Sequence, residues 1–554
     1  MRILLLLSVV FSLTLSAQHQ AYLDIGNVRA LVNSNGLLFH DTVTNRAGFE
    51  APKGDSTYSV FVSAIWMSST DSLSDSTSKY SIGHELNGRQ GDIAVGPVDI
   101  LNQKRDTSSK FQRLWKIDKN TINNHIANWN QPNYQTPNSI LDWPGNGNSN
   151  TAKILAPFKD VDGDSLYEPN NGEYPLILGD QAIFLMANDF SRNQFDSVFL
   201  PVRDPNNPFV IIDSVFRGIY SPTQIEIHIM VYAYLNTPAE ISNTVFVKTT
   251  LFHRSNLSIL DHNNFKFSTF NDFDIGRATD DYMGTDTNRN LVYVYNSNDF
   301  DPGNSIQKGY GNNIGSQGIK YLNHNLTSSI ELVDNSAIGR VHEKRHVPLY
   351  QSSRWTNGRP LNYGGNGFNY CIDSNRLSKF YFPGNPTLIN DNSQWTELNY
   401  CPRDSVKRNN PNDKRVIATI GILPPFNHST SVEINYAYIF AQDSGGVVAS
   451  VAALQVAADS VQAFYDRNRF VGINENTKSS SLEFNIYPNP AKDKVFIETD
   501  QKSFYIELFN VEGRMMNPFT NTKHLDISYF PNGIYFIRMS SKNKIGIQKL
   551  VISR

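Results

Sequence analysis

"IEIHIMVYAYL", residues 225–235, and "NTVFVKTTLFH", residues 243–253, alternate side-chain types with a period of two. Successive side chains of an extended chain point to opposite faces, so this pattern predicts β-strands and not helical turns. The same alternation recurs in "STYSVFVSAIWM" (56–67) and "SVEINYAYIFAQD" (431–443). Clusters of Asn, Asp, Gly and Pro separate such runs from Tyr22 to about Ala441. Aromatic residues make up 12% of the chain and charged residues only 18%, a balance that favours strands and turns. The expected fold is mainly β: a large multi-sheet antiparallel, sandwich-like domain with few helices. The clearest helix follows Gly445-Gly446, where Val447, Val451, Leu454, Ala458 and Val461 recur at three- and four-residue spacing up to Tyr465.

A chain of 554 residues exceeds what one hydrophobic core organises, so two or three folded units are expected. "MRILLLLSVVFSLTLSA" joins Arg2, an apolar run from Ile3 to Leu15, and the small Ser16 and Ala17. That is the pattern of a secretory signal peptide over residues 1–17. No later stretch is apolar for long enough to span a bilayer, so the mature chain is expected to have no transmembrane segment. A β-rich body over 18–470, of one or two subdomains, precedes a linker at 471–481; "NENTKSSSLE" (474–483) lacks apolar periodicity. A smaller β-sandwich follows over 482–554. The net charge of -3 and the lack of a basic stripe interleaved with aromatics argue against nucleic-acid binding. Cys371 and Cys401 are the two cysteines. In an oxidising exterior their pairing would restrict the unfolded chain by about 3 to 4 kcal/mol, two buried free thiols being the alternative.

In the C-terminal part, "YPNPAKDKVFIE" (487–498), "LFNVEGR" (508–514), "GIYFIRM" (533–539) and the terminal "QKLVISR" (548–554) stand in order. Together they resemble the type A C-terminal sorting domain of type IX secretion, used by Gram-negative bacteria. The resemblance implies passage through the inner membrane by the N-terminal signal and translocation across the outer membrane. It also implies removal of the tail during release or attachment to surface lipopolysaccharide. The partners implied are the type IX machinery and, on the outside, lipopolysaccharide or an extracellular glycan or protein. The body, with "NVRALVNSNGLLF" (27–39), "LWKIDKNTINNHI" (114–126) and "RWTNGRPLNYGGNGF" (354–368), resembles a widespread uncharacterised group of large exported proteins that carry the same tail. That likeness transfers no catalytic residue.

"DVDGDSLYEPNNGEYP", residues 160–175, crowds five carboxylates together with no Lys, Arg or His among them. Asp160, Asp162 and Asp164 alternate at a spacing that lets a looped backbone turn three carboxylates onto one hard cation. The Leu166 carbonyl and Glu168 extend the set, and Glu173 takes the place of the bidentate acid. Ca²⁺ accepts six to eight oxygens in flexible geometry, so calcium is the expected structural cofactor. The loop departs from an EF-hand: Gly163 stands at position four and Ser165 where the invariant Gly belongs. A solvated acidic turn is the alternative. A looser acidic group, Asp272, Asp274, Asp280, Asp281 and Asp286, is a second and weaker metal candidate; Arg277 neutralises part of it, and turn capping is the default reading.

"HEKRH" (342–346) satisfies H-E-x-x-H, in which His342 and His346 would bind Zn²⁺ and Glu343 would activate water. Arg340, Lys344 and Arg345 place positive charge beside that cation, and Pro348 is expected to stop the helix. Trp66, Trp115, Trp143 and Trp395 stand beside apolar neighbours and are expected in the core. Three function classes remain: a non-enzymatic surface or secreted protein with a structural, adhesive or binding role; a secreted zinc peptidase; and a carbohydrate-binding or carbohydrate-cleaving protein. The first fits best, because the identifiable special residues hold loops together.

Overall fold

The computed structural model describes residues 19–71, 78–83, 91–190, 196–204, 207–220, 222–254, 262–305, 307–333, 339, 344–368, 371–388, 391, 394–398, 411–421, 426, 430–468, 482–501, 504–510, 515–520, 523–541 and 544–554. The proposed signal peptide and linker lie outside them. The protein is mainly β, with 45% of residues in strands and 13% in helices. Two compact units divide it, Met1–Asp459 and Ser460–Arg554.

The first unit is built on two antiparallel sheets. An eight-stranded sheet runs in the order Gln20–Leu23, Arg29–Asn33, Phe49–Glu50, Tyr58–Asp71, His262–Phe273, Lys414–Gly421, Leu326–Leu332, with Ser78–Ile82 paired to Tyr58–Asp71. A nine-stranded sheet runs Trp115–Asp118, Gln181–Asn188, Ile225–Ala233, Thr244–His253, Ser431–Gln442, Gly315–Tyr321, Leu291–Asn296, Asp281–Asp286, with Ala94–Val95 paired to Gln181–Asn188. Neighbours far apart in sequence, such as His262–Phe273 beside Lys414–Gly421, make the pairing non-local.

The sheets pack face to face through apolar residues and a band of hydroxyls and amides. Ser59 donates to Gln317 Oε1 at 2.8 Å. Ser63 and Tyr438 both donate to Asn271 Oδ1 at 3.0 Å and touch each other. The Thr269 and Tyr321 hydroxyls lie 3.1 Å apart. Each of these groups would be costly to bury alone, and the network satisfies them across the interface.

The alternation in Ile225–Ala233 is real, yet all nine residues are buried. Ile229 faces the turn that follows the strand Arg29–Asn33, where its Cδ1 lies 3.4 Å from the place a Cβ on Gly36 would take. On the other face, Glu226 Oε2 accepts from the Val98 N–H at 2.7 Å, and Glu226 Oε1 pairs with His228 at 3.0 Å and Arg254 at 3.1 Å. Phe184, on that face, packs against Trp143 at 5.4 Å between ring centres. The excursion between residues 94 and 180 therefore folds back over the nine-stranded sheet. The helix Val447–Asn468 covers the same sheet elsewhere: Leu454 stands over Gly318, and Ser450 donates to the Ile314 carbonyl at 2.7 Å. The eight-stranded sheet is covered by the short helix Val347–Tyr350 and by Gln351, which donates to Ser268 at 2.8 Å and to the Trp66 carbonyl at 3.2 Å. Trp66, Trp115, Trp143 and Trp395 are all buried.

At one end of the eight-stranded sheet, Lys414 is fully buried between two buried carboxylates. Its Nζ lies 2.7 Å from Glu397 and 3.1 Å from Glu331, and Glu397 also accepts the Met283 N–H at 2.6 Å. One ammonium cannot neutralise two desolvated carboxylates. Burial, with Glu331 beside it, lifts Glu397 to about 7 against the pull of Lys414. The folded chain thus binds this proton more tightly than the unfolded chain, whose value is 4.5. The resulting stabilisation is full below about 4.5 and is lost as pH rises through about 7. Unfolding free energies from urea titrations at about pH 5 and about pH 7.5 are expected to differ less in Glu397→Gln than in wild type, by on the order of a few kcal/mol. An unchanged pH dependence in the variant would refute this account of the triad.

Candidate functional site

The acidic loop belongs to the excursion that covers the nine-stranded sheet. A two-residue ladder, Phe158–Lys159 against Tyr174–Pro175, closes its ends. Below it, Tyr167 is buried and donates to the Ile140 carbonyl at 2.8 Å. Trp143 Nε1 donates to the Pro157 carbonyl at 3.0 Å. His125, on the helix Lys119–Asn128, places Nε2 3.1 Å from the Glu173 carbonyl oxygen. Gly172 has φ +91°, and a Cβ there would meet Trp129 at 2.7 Å; only glycine lets the loop lie this close to the indole.

Inside the loop, carboxylates fold the backbone around themselves. Asp160 accepts from the Gly163 N–H at 2.7 Å and the Ser165 N–H at 2.9 Å. Asp164 accepts from the Leu166 N–H at 2.6 Å. Glu173 is buried and uses both oxygens, accepting from Val161 at 2.9 Å and Glu168 at 2.7 Å. Gly163 and Ser165 both adopt left-handed backbone, φ +85° and +63°. Ser165 therefore holds the conformation for which the corresponding EF-hand position keeps a glycine.

One oxygen from each of Asp160, Asp162 and Glu173 lies within 4.8 Å of the others, and the same holds for Asp162, Asp164 and Glu168. The two triplets share Asp162. Leu166 contributes an exposed side chain. Partial burial works to raise Asp160, but the N–H donors of Gly163 and Ser165 outweigh it and hold the carboxyl below its usual value. Glu173 goes the other way: burial pushes it up, and the charges of Asp160 and Asp162 add to that push. Such an oxygen-only donor set suits a hard cation.

Beside the loop opens a cleft of 380 Å³, lined in part by Trp115, Trp143, Tyr167, Lys110, Arg113 and Asp142. Arg113 pairs with Asp142 at 3.3 Å. Aromatic walls and charges of both signs thus meet at one mouth.

The second acidic stretch is divided. Asp272 and Asp274 come together with Asp413, a residue from a distant part of the chain. Asp281 is buried in the strand that Asp286 ends, about 17 Å away along the extended backbone, so these two cannot share an ion. Asp286 pairs with Arg289 at 2.8 Å and caps the turn by accepting from the Asn288 N–H at 3.1 Å. Desolvation raises Asp280 and Asp281. His346 ends a 3-10 turn, Lys344–His346, and Pro348 sits near the start of the helix Val347–Tyr350 instead of stopping one, a place where its missing N–H is harmless. His342 and Glu343 lie outside the described residues, as does Cys401; Cys371 adopts φ +50°.

The C-terminal unit is a seven-stranded sandwich of two sheets, Asn485–Tyr487, Lys494–Glu498, His524–Asp526 and Tyr505–Asn510, Met515–Thr520, Gly533–Ser541, Lys544–Ile552. Val495, Ile497, Ile506, Leu508, Leu525, Ile537 and Leu550 build its core. Its two ends are tied together: Asn489 donates to the Lys549 carbonyl at 2.6 Å and accepts from the Val551 N–H at 2.8 Å. Arg554 donates to the Ile527 carbonyl at 2.7 Å. Residues 485–553 match the family model described as a secretion system C-terminal sorting domain.

This unit is a type IX sorting domain. The chain is accordingly exported to the cell surface or secreted, and the tail engages the type IX machinery. No curated protein matches the chain. Among solved structures, one similar chain is a polysaccharide lyase, 6% identical, with 59% of this chain and 34% of that one covered at a TM-score of 0.16. This chain thus spans about a third of the lyase, and so loose a superposition carries no argument. For the sorting domain, Asn489→Ala is expected to lose both tying bonds and about 1 to 3 kcal/mol. Limited proteolysis of the full chain should then cut within residues 482–554 faster than in wild type, and equal cleavage rates would reject the tie.

Proposed function

We propose that the exported body is a non-enzymatic, calcium-stabilised protein that works by presenting loops for binding at or beyond the cell surface. The observation that carries this reading is the loop 160–173, whose carboxylates bend the backbone into an oxygen-lined ring beside the aromatic cleft. Its special groups tie chain to chain: Glu173 clamps Val161 and Glu168, and Asp160 clamps Gly163 and Ser165. The remaining concentration of like charge is what Ca²⁺ would relieve, and ion binding stabilises whichever state owns the site.

The cleft favours a glycan or a polar peptide as the presented ligand. Lys110, Arg113 and Asp142 offer donors and acceptors at its edge, over a floor backed by the buried rings of Trp115, Trp143 and Tyr167. The alternative is the peptidase form, in which His342, Glu343 and His346 would hold zinc. The pairing of Cys371 with Cys401 is part of the same reading, as a further closure of a long loop outside the cell.

Calcium at 100 times its dissociation constant is expected to stabilise the body by about 2.7 kcal/mol. Chelator-treated protein should melt at higher temperature when millimolar Ca²⁺ is added, and the gain should shrink in the double variant Asp160→Asn, Asp162→Asn. An identical gain in that variant would remove the loop from the account. Zinc at one ion per chain, with peptidase activity abolished by His342→Ala, would replace it with the peptidase.

A further inference from the structure

The strands His262–Phe273 and Lys414–Gly421 pair with Asp272 directly across from Arg415 and Phe273 across from Lys414. The same register, continued by one residue pair, sets Asp274 across from Asp413. With side chains alternating along each strand, Asp272, Asp274, Asp413 and Arg415 share one face of the ladder. Like charges directly opposite destabilise a sheet, and here three carboxylates meet one guanidinium.

Arg415 meets one oxygen on each of two of them. It reaches Asp272 Oδ2 at 3.2 Å and Asp413 Oδ2 at 2.7 Å. The other oxygen of each, Asp272 Oδ1 and Asp413 Oδ1, is enclosed and accepts from no N–H or O–H donor among the described residues. Asp272 is 7% exposed, so its orphaned oxygen is shut away from bulk water. One oxygen from each of the three aspartates lies within 4.8 Å of the other two. A buried carboxylate oxygen without a donor is costly, and a hard cation accepted by all three would remove that cost together with the repulsion.

We propose that Asp272, Asp274 and Asp413 form a second divalent-cation site, selective for an oxygen-seeking ion such as Ca²⁺, that fastens the end of the eight-stranded sheet. Arg415 holds two of the ligands in place. Asp413 is partly exposed, which gives the ion its entry and leaves room for water to complete the coordination shell. The site is independent of the loop at 160–173, since it shares no residue with it.

Isothermal titration of the chelator-treated mature chain with CaCl₂ tests it. Asp413→Asn and Asp274→Asn should each bind one Ca²⁺ fewer than wild type, while Asp160→Asn, Asp162→Asn should keep that ion. Circular dichroism melts identify which variants are folded. A folded Asp413→Asn or Asp274→Asn chain that binds as many ions as wild type overturns the proposal. Should neither fold, the loop double variant still decides: retained Ca²⁺ supports the second site, and none bound eliminates it. Failure of the loop site alone would leave the Asp413-dependent ion in place, so the two readings fail separately.

Discussion

A carboxylate taken out of water needs a donor, a counter-charge or a proton, and this fold buries carboxylates because both faces of its two large sheets are covered. Glu226, Glu331 and Glu397 all sit inside. Each is met by bonds from another part of the chain: Arg254 and Val98 for Glu226, which also pairs with His228 on its own strand, and Lys414 for the other two. These pairings specify register as well as stability, since slipping a strand by one residue would turn every buried charge to the opposite face. They also explain the hydroxyl band between the sheets, where Asn271 gathers Ser63 and Tyr438.

The same rule makes the oxygen-rich clusters stand out. At residues 160–173 the carboxylates recruit the loop's own N–H groups, which fixes the backbone before any ligand arrives. Preorganisation of that kind reduces the ordering cost of binding an ion. At Asp272, Asp274 and Asp413 one guanidinium meets two of the three acids. Burial and the neighbouring acids lift Asp272 well above the ordinary carboxylate range, and burial with Asp413 lifts Asp274 to about 8. In the absence of a cation, shared protons are the available relief.

Export shapes what such a body needs. A chain carried outside the cell by a type IX tail meets calcium at concentrations a cytosolic protein does not, and it folds away from cytosolic chaperones. A sheet-built body with many long-range strand pairs has high contact order, so ions and ties that close long loops act where loop-closure entropy is largest. The sorting unit follows the same logic on a smaller scale, with Asn489 and Arg554 joining its first and last segments.

The sequence alone determined the strands, the helix after Gly446 and the sorting tail, because alternation, helical spacing and ordered motifs are local. It also placed Asp160, Asp162, Asp164 and Glu173 in one loop, since their contacts span few residues and the turn at Gly163 and Ser165 is written in neighbouring side chains. Alternation of side-chain types does not say whether one face of a strand is covered or both. Ile225–Ala233 is covered on both faces because the chain between 94 and 180 folds back over it, and no alternation within nine residues contains that information. Tertiary structure alone decided that Asp413 joins Asp272 and Asp274 while Asp286 does not. Strand pairing brings residues more than a hundred positions apart into register, whereas an extended strand carries Asp286 away from Asp281 however close they stand in sequence.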